Sequence, residues 1–369
     1  MTRRERILAL LRREPLDRVP WNGDLDWWIR YLRETGQWGE RYAGEMGRLQ
    51  LHRDLGVGFY LQGHFPFRTV YDGGVRVKTE KRGNDTAVTF ETPLGTLREV
   101  QRYLPEGHSD AYTEHLLKDA EDLPVLRYVW EHTRYEPDYG LASRLTEAVG
   151  DLGAVLLYTP RTPFMELVTC LAGIENLVFA MDDDPEEFEA LFEVMKTRFE
   201  EAAEITLNAP CDCVMIPENL SSEVVGPAYY RLYMAPLHRK WTARIREAGK
   251  YSFIHMDGTL AGLLEDVAGS GFDVLEALTP APVGDLTWEE MDARVRGRSI
   301  VWGGIPGGYF TDVVSDEDFD EHVIRLLEFC KSHPGTFTAG VSDQVCPGSR
   351  PERIARVETL CEQYGWYEK

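Results

Sequence analysis

Short runs of hydrophobic residues recur along the chain, and their periodicity predicts two kinds of structure. Residues 3–14 place their isoleucine and leucines on one helical face and stop before Pro15, which predicts an N-terminal helix. Residues 75–100 instead alternate apolar and polar side chains in three runs, separated by turn residues such as Gly, Asn and Pro. This period of two residues predicts an antiparallel meander.

Eight further apolar runs, each followed by helix-length sequence, predict a parallel barrel. They cover residues 17–24, 55–61, 153–159, 211–218, 251–255, 272–276, 299–303 and 336–340. Continuous apolar runs are typical of parallel strands that are buried on both faces. Eight of them predict an α/β protein with a closed (β/α)₈ TIM barrel. We expect one barrel domain over residues 1–369, with the meander in an insertion around residues 66–150.

The charge of the chain argues against two classes of partner. The sequence has 40 basic and 62 acidic residues and a formal net charge of −22. Nucleic acids and anionic membranes attract clustered basic residues, so neither is expected to bind. We find no apolar run of about 18 residues and no signal-peptide pattern at the N-terminus. Six sparse cysteines do not form a disulfide framework, so we expect a cytoplasmic protein with free thiols.

Polar and aromatic residues follow several of the predicted strands. In a barrel, the residues just beyond the carboxyl ends of the strands line a common mouth, which is the expected ligand site. Gln62 and His64 follow the second run in this way. The residues expected to bind substrate are Trp21, Asn22, Asp24, Asp26, Tyr158 and Trp302. For the aromatic members, simple packing is the alternative interpretation.

His255 and Asp257 form the sharpest local pattern. Side chains at positions i and i+2 of a strand point to the same side, so both can face the barrel axis. Neutral imidazole and carboxylate are zinc ligands, and the pair predicts a shared cation. A third ligand would come from Glu218, Glu276, or the loop with Asp343 and Cys346. The alternative is a hydrogen-bonded core histidine beside a helix-capping aspartate.

Glu218 and Glu276 each come at the end of an apolar run. A carboxylate at the end of a buried strand is costly unless it is paired or faces the mouth. Both are therefore candidates for chemistry, and a salt bridge to a loop arginine is the alternative for each.

The chain resembles the uroporphyrinogen decarboxylase superfamily in several segments, which occur in order along the whole sequence. These segments are RERILALL at 4–11, DRVP at 17–20, TPLGTL at 92–97, FIHMDG at 253–258, GVSDQVCP at 340–347, PERI at 351–354 and YGW at 364–366. The resemblance implies a (β/α)₈ barrel, which agrees with the strand count.

Two activities divide that superfamily. Its tetrapyrrole decarboxylases hold the substrate carboxylates with arginines near the N-terminus. The matching segment here, WNGDLDWW at 21–28, has no arginine and carries two acids, which would repel a polyanion. The other branch moves methyl groups to or from a cobalt corrinoid carried on a small partner protein. Several of its members bind zinc through a His-x-Cys pair and a later Cys.

The resemblance aligns His255 with the zinc-binding histidine and places Asp257 at the first cysteine. Ser342 or Asp343 stands near the second cysteine, and Cys346 lies a few residues later. A site that has lost thiolates is harder and better matched to an oxygen substrate. We therefore expect a methyltransferase that takes a methyl group from a small methylated donor, favouring a methoxylated aromatic. The acceptor would be the cobalt(I) of a corrinoid on a small carrier protein.

Two sources of acid catalysis are expected for this reaction. Either zinc, held by His255, Asp257 and Cys346, or a protonated carboxyl of Glu218 or Glu276 would stabilise charge on the leaving oxygen. The first alternative function is decarboxylation of a tetrapyrrole-like or smaller carboxylic acid. The second is non-catalytic binding of a corrinoid or tetrapyrrole.

Overall fold

The computed structural model describes residues 1–60 and 64–368. They divide into two compact units. The barrel unit comprises Met1–His64, Gly140–Tyr158 and Pro210–Lys369, and the accessory unit comprises Phe65–Tyr139 and Thr159–Ala209. The expectation of a single domain stays a prediction.

Thirteen strands are present in the described residues. In chain order they are β1 Trp21–Asn22, β2 Phe67–Tyr71, β3 Arg76–Arg82, β4 Asp85–Thr92, β5 Gly95–Leu104, β6 Ser109–Glu114, β7 Thr133–Pro137, β8 Leu156–Tyr158, β9 Cys213–Leu220, β10 Tyr251–Met256, β11 Val274–Leu278, β12 Ile300–Pro306 and β13 Phe337–Ser342.

The α-helices alternate with these strands in the barrel unit and cluster in the accessory unit. They are α1 Arg3–Leu11, α2 Asp26–Glu34, α3 Gly47–Leu55, α4 Leu123–Glu131, α5 Gly140–Val149, α6 Pro163–Glu166, α7 Gly173–Asp183, α8 Pro185–Asn208, α9 Pro227–Tyr229, α10 Ala235–Glu247, α11 Leu264–Ala268, α12 Trp288–Val295, α13 Asp316–Ser332 and α14 Pro351–Tyr364. In the described part of the chain, no helix combines the length and the apolar character needed to cross a bilayer.

Seven parallel strands form one curled sheet in the barrel unit, in the order β1-β13-β12-β11-β10-β9-β8. Two parallel bridges complete the ring. Asn22 of β1 pairs with Gly58, and Phe59 pairs with Gly153, just before β8. The segment around Gly58 therefore occupies the eighth strand position, and the predicted (β/α)₈ fold is confirmed.

The interior of the barrel is filled by side chains from the strands. Met215, Phe253, Val274 and Trp302 belong to one buried cluster, which the N-terminal helix α1 joins through Leu10. Layers of apolar side chains from successive strands are typical of this fold, because the barrel is a packed core and not a pore. The polar residues at the carboxyl ends of the strands therefore lie next to the apolar interior of the barrel.

The accessory unit contains the predicted meander, which is larger than the sequence indicates. Strands β3, β4, β5 and β6 form a four-stranded antiparallel sheet, and β2 pairs with β7 in a separate antiparallel ribbon. The three predicted runs correspond to β3, β4 and β5. The sequence analysis missed β6 and the β2–β7 ribbon, since the partners of the ribbon are far apart in sequence.

Several predicted boundaries differ from the observed ones. Helix α1 ends at Leu11, before the predicted limit at Glu14. The run expected to be a strand from Leu55 begins inside helix α3, and the described β pairing there is limited to Gly58 and Phe59. Leu61 and Gln62, at the end of that predicted strand, lie outside the described residues.

Candidate functional site

A buried carboxylate, Glu276, lies at the centre of the polar strand ends in the barrel unit. It accepts a hydrogen bond from the Tyr60 hydroxyl at 3.0 Å and another from Nδ1 of His255 at 2.7 Å. All three side chains are buried, and Glu276 is completely so. A buried carboxylate is stable only when it is paired and hydrogen-bonded, and these two donors satisfy that requirement.

The charge of Glu276 controls the protonation of His255. Burial alone lowers the pKa of His255, but the charge and hydrogen bond of Glu276, with the charges of Asp257 and Asp343, raise it to about 10. His255 is therefore an imidazolium at neutral pH, and both of its ring nitrogens are donors. Burial and then the charge of Glu276 raise the pKa of Tyr60 well above its ordinary value, so its hydroxyl also keeps its proton.

Irregular backbone presents these side chains to the mouth. The register between β9 and β10 shifts between Ile254 and Met256, on either side of His255. The register between β11 and β12 shifts between Glu276 and Leu278. Ala277, in the middle of the second shift, has a φ of 72°, which is costly for a residue with a Cβ. Bulges of this kind re-aim side chains and are enriched next to active sites.

Two further carboxylates lie close to the imidazolium. Oδ1 of Asp343 lies 3.5 Å from Nε2 of His255, and the side chain of Asp343 is 44% exposed. Burial raises the pKa of Asp343, the charge of His255 opposes that shift, and the charges of Asp257 and Glu276 add to it. Asp343 is thus a partly exposed carboxylate next to Nε2 of His255.

The segment after β13 is fastened to its neighbours. The Ser342 hydroxyl donates to the Leu278 carbonyl at 2.8 Å and accepts from the Gly304 amide at 3.0 Å. Asp24 accepts from the side-chain amide of Gln344 at 2.8 Å and from the Asp26 amide at 2.8 Å. These bonds hold Asp343 beside His255.

Asp24 is a buried acid with a second carboxylate nearby. Burial, followed by the charge of Asp26, raises the pKa of Asp24 well above its ordinary value. Asp26 itself is ion-paired with Arg48, and burial raises its pKa against the opposing charge of that arginine. The two predicted substrate-binding acids therefore make contacts within the protein.

A cavity of about 330 Å³ opens next to Asp257 and Asp343. The lining combines those carboxylates with aromatic and apolar side chains and one thiol: Trp27, Thr279, Val283, Pro306, Tyr309, Val313, Gln344 and Cys346. No lysine or arginine of the described chain lines it. The volume is at the small end of the range for ligand sites, so the cavity does not suit a large ligand. Its negative charge does not suit a polyanion.

Glu218 lies on the other face of the sheet. Its carboxylate accepts from Nε2 of His238 on α10 at 2.6 Å, and both side chains are completely buried. The Tyr230 hydroxyl lies 3.1 Å from Nδ1 of the same histidine. Side chains along a strand point alternately to opposite faces, so residues three positions apart lie on different faces. Met215 of β9 points into the barrel interior, and Glu218, three residues later, therefore points outward to the helices. The structure therefore does not bring Glu218 together with Glu276.

The predicted aromatic lining residues have mixed positions. Trp302 is completely buried, with Tyr60 at 5.2 Å and Phe253 at 5.6 Å between ring centroids, so it forms part of the interior core. Trp21 is also buried and stacks on Phe310 at 6.2 Å. Tyr158 packs against the interior cluster and is partly buried.

Asn22 occupies a crowded position at the end of β1. Its side-chain oxygen fills the space in which a Cβ on Gly58 would lie, at 2.0 Å from that position. This close approach explains why glycine is required where the eighth strand position meets β1. Asn22 is almost completely buried. Its contact with substrate stays a prediction.

The predicted metal ligands, His255, Asp257 and Cys346, stay a prediction. Cys346 donates its thiol to the Gly307 carbonyl at 3.4 Å, while Nδ1 of His255 is used by Glu276. Across the described residues, no three His, Cys, Asp or Glu side chains are grouped so that they could hold a metal.

Sequence reasoning missed Tyr60, which provides half of the hydrogen bonds to Glu276. A signal was present, because Tyr60 lies in the second apolar run, where a polar hydroxyl in a buried strand requires a partner. The partner could not be identified, since it lies 216 positions away.

The ring of parallel strands and the polar cluster at their carboxyl ends define the class: a (β/α)₈ barrel whose candidate active site lies at the barrel mouth. Residues 115–364, more than half of the chain, match the family model described as Uroporphyrinogen decarboxylase (URO-D). The chain therefore belongs to the uroporphyrinogen decarboxylase family. Members of this family are enzymes, and they include decarboxylases and corrinoid-dependent methyltransferases.

Other comparisons add little to this assignment. None of the curated proteins matches the chain. One similar solved structure contains the tandem GH20 catalytic modules of the pneumococcal exo-beta-D-N-acetylglucosaminidase StrH, with 11% identity and a TM-score of 0.32. The alignment covers 62% of this chain, which spans 62% of the length of that structure. A similarity at this level does not bear on function.

Proposed function

We propose that this protein is a methyltransferase that moves a methyl group from a small methoxylated aromatic to the cobalt(I) of a corrinoid. The corrinoid would be carried by a small partner protein and acts as a substrate. The observation that carries the proposal is the imidazolium of His255, held by the buried carboxylate of Glu276 at 2.7 Å, with its Nε2 3.5 Å from Asp343, which lines a small cavity.

The chemical problem in cleaving a methyl ether is the leaving group. When the electron pair of cobalt(I) attacks the methyl carbon, the carbon–oxygen bond breaks and its electron pair stays on the oxygen. A proton from Nε2 of His255 would neutralise that oxygen. Its pKa of about 10 is close to that of a phenol, so the proton transfer is nearly balanced in energy.

Each neighbouring group has a part in that proton transfer. Glu276 keeps the proton on Nδ1 and orients the ring, so that Nε2 is the nitrogen that delivers the proton. Tyr60 satisfies the other oxygen of Glu276. Asp343, which lies 3.5 Å from Nε2 and is partly exposed, would return a proton from solvent after the reaction. We assign no step to zinc.

The cavity supports a small and uncharged donor. Its carboxylates, Asp257 and Asp343, and the lack of lysine or arginine in its described lining disfavour a substrate with many carboxylates. Trp27 and Tyr309 in the lining provide apolar faces for an aromatic ring.

Decarboxylation of a small acid is the second candidate. The same imidazolium would attract a single carboxylate, and after loss of carbon dioxide it would protonate the carbanion. The two reactions differ in their products, since one releases a phenol and the other releases carbon dioxide.

The test is methyl transfer to free, reduced cobalamin with a panel of methoxylated aromatics. We expect loss of the cobalt(I) absorbance and release of the phenol, at least about a hundredfold faster than without protein. The His255→Asn variant should lose the acceleration, and His333→Asn, which changes a histidine outside the site, should keep it. Carbon dioxide release without methyl transfer, or no product from any donor, would contradict the proposal.

A further inference from the structure

The accessory unit contains a cavity of its own, of about 260 Å³. Both antiparallel sheets, helix α4 and the segment that begins with α6 contribute to its lining. Five of the fourteen lining residues are aromatic: Tyr71, Phe90, Tyr112, Trp130 and Tyr135. The rings of Tyr71 and Phe90 meet edge to face, with centroids 5.8 Å apart and an interplanar angle of 82°. The methyl-transfer chemistry proposed above uses none of these residues.

Two carboxylates, Glu99 and Glu166, lie among these rings. Burial, and then the charge of Glu166, raises the pKa of Glu99 to about 7. Burial also raises the pKa of Tyr112 and of Tyr135, and carboxylates add to both shifts, Glu99 at Tyr112 and Glu166 at Tyr135. Carboxylate charge and ring faces therefore share one small space, and both are attractive to a cation.

Nearby positive groups are few in the described structure. No lysine, arginine or histidine of the described residues lines the cavity. Arg161 approaches Sγ of Cys170, a lining residue, at 3.8 Å, and His115 stacks on Tyr112 with centroids 4.9 Å apart. Neither group belongs to the described lining, which combines aromatic, aliphatic and threonine side chains and one thiol with the two carboxylates.

We propose that this cavity binds a small organic ammonium cation of the trimethylammonium type. Such a cation has no proton to donate and is recognised by ring faces together with nearby carboxylates. The cavity is large enough for this group and at the lower limit of the size of ligand sites. A metal ion fits less well, because no three His, Cys, Asp or Glu side chains of the described residues are grouped to hold one, and a hard cation needs about six oxygens.

The experiment is calorimetric titration of the purified full chain with choline, without any corrinoid. The neutral isostere of choline, in which a tert-butyl group replaces the trimethylammonium group, serves as the control ligand. We expect saturable binding of choline and about tenfold weaker binding of the isostere.

Two variants locate the site, and each is checked for folding by circular dichroism. Glu99→Gln removes one carboxylate charge, and Trp130→Leu removes one ring; each should weaken choline binding about tenfold. The matched control is Glu80→Gln, which removes an exposed carboxylate from the same four-stranded sheet and should leave the Kd unchanged.

Three results would overturn the assignment. They are equal binding of choline and its isostere, no saturable binding up to about 10 mM, or equal effects of Glu99→Gln and Glu80→Gln. Because the titration uses no corrinoid and no methyl donor, its failure is separate from failure of the methyl-transfer proposal. The His255→Asn variant should bind choline as the unmodified protein does.

Discussion

The protonation of the candidate site depends on one carboxylate. Glu276 is completely buried, and its two oxygens accept from Tyr60 and His255. Burial lowers the pKa of His255, but the charge and hydrogen bond of Glu276 raise it to about 10. The acid proposed for catalysis is therefore His255, whereas the sequence alone had suggested Glu276.

The His255→Asn variant removes the proposed acid and keeps a polar side chain of similar reach. We expect kcat for methyl transfer to fall about a hundredfold to ten-thousandfold. In the unmodified protein, kcat should be flat near neutral pH and fall as the pH rises through about 10, since Nε2 then loses its proton. A profile with no such limb, or an unchanged kcat in the variant, would show that His255 is not the acid.

The same pKa shift predicts how stability depends on pH. The pKa of His255 in the folded protein, about 10, is above the ordinary histidine value. The stabilisation from its pairing is therefore fully present below that ordinary value and is lost as the pH rises through about 10. Urea unfolding from about pH 6 to about pH 10.5 should show a decline that is smaller in His255→Asn. Equal slopes would contradict the pairing.

Tyr60→Phe isolates the second donor to Glu276. Losing the hydroxyl leaves one oxygen of a buried carboxylate without its donor at 3.0 Å, so the free energy of unfolding should fall by about 1–3 kcal/mol. Tyr364→Phe, which alters an exposed tyrosine, provides the control and should change stability little. Urea denaturation of the three proteins measures both effects.

At the scale of elements, the strand ends were predictable but the direction of their side chains was not. Glu218 and Glu276 have the same sequence context, each at the end of an apolar run. Alternation decides which face a side chain takes only when the phase of the strand is known. Met215 and Val274 point into the barrel, which places Glu276 inside and Glu218 outside. That phase comes from the closed ring and cannot be obtained from one strand.

The register shifts at β10 and β11 are a second feature that the sequence conceals. The positive φ of Ala277 could not be predicted from the sequence. Alanine is a common residue in a buried strand, whereas a positive φ is usually indicated by glycine or asparagine. Tyr60 and the accessory strands β2 and β7 were missed for a related reason, since their partners are distant in sequence. Local periodicity predicts elements and leaves long-range pairing undetermined.

The buried pair that joins β9 to α10 makes a structural prediction. His238→Ala removes the donor at 2.6 Å from the buried carboxylate of Glu218, so stability should fall by about 3–5 kcal/mol. Glu218→Gln keeps a polar group at the same place and should cost less. If Glu218 acts only within the fold, kcat of the folded Glu218→Gln protein should stay within a few-fold of the unmodified value. A decrease in kcat as large as that of His255→Asn would instead show that Glu218 takes part in the reaction.

At the scale of the whole molecule, the net charge bears on the kind of substrate that we propose. The chain has a net charge of −22, and the described lining of the barrel cavity carries two carboxylates without lysine or arginine. A binding site for a polycarboxylate requires the opposite field. The negative net charge of the chain and the carboxylates in the cavity lining would each repel a tetrapyrrole with many carboxylates.

Binding of porphyrins tests this field directly. Uroporphyrin, a highly carboxylated porphyrin, should bind weakly at low ionic strength, and its binding should strengthen as salt screens the repulsion. Coproporphyrin, which has fewer carboxylates, should be repelled less. The double variant Asp257→Asn with Asp343→Asn should bind both porphyrins better, because it removes the carboxylates nearest the cavity. Fluorescence titration measures each affinity. Tight uroporphyrin binding at low salt that weakens as salt is added would require a cationic site, and it would favour decarboxylation over methyl transfer.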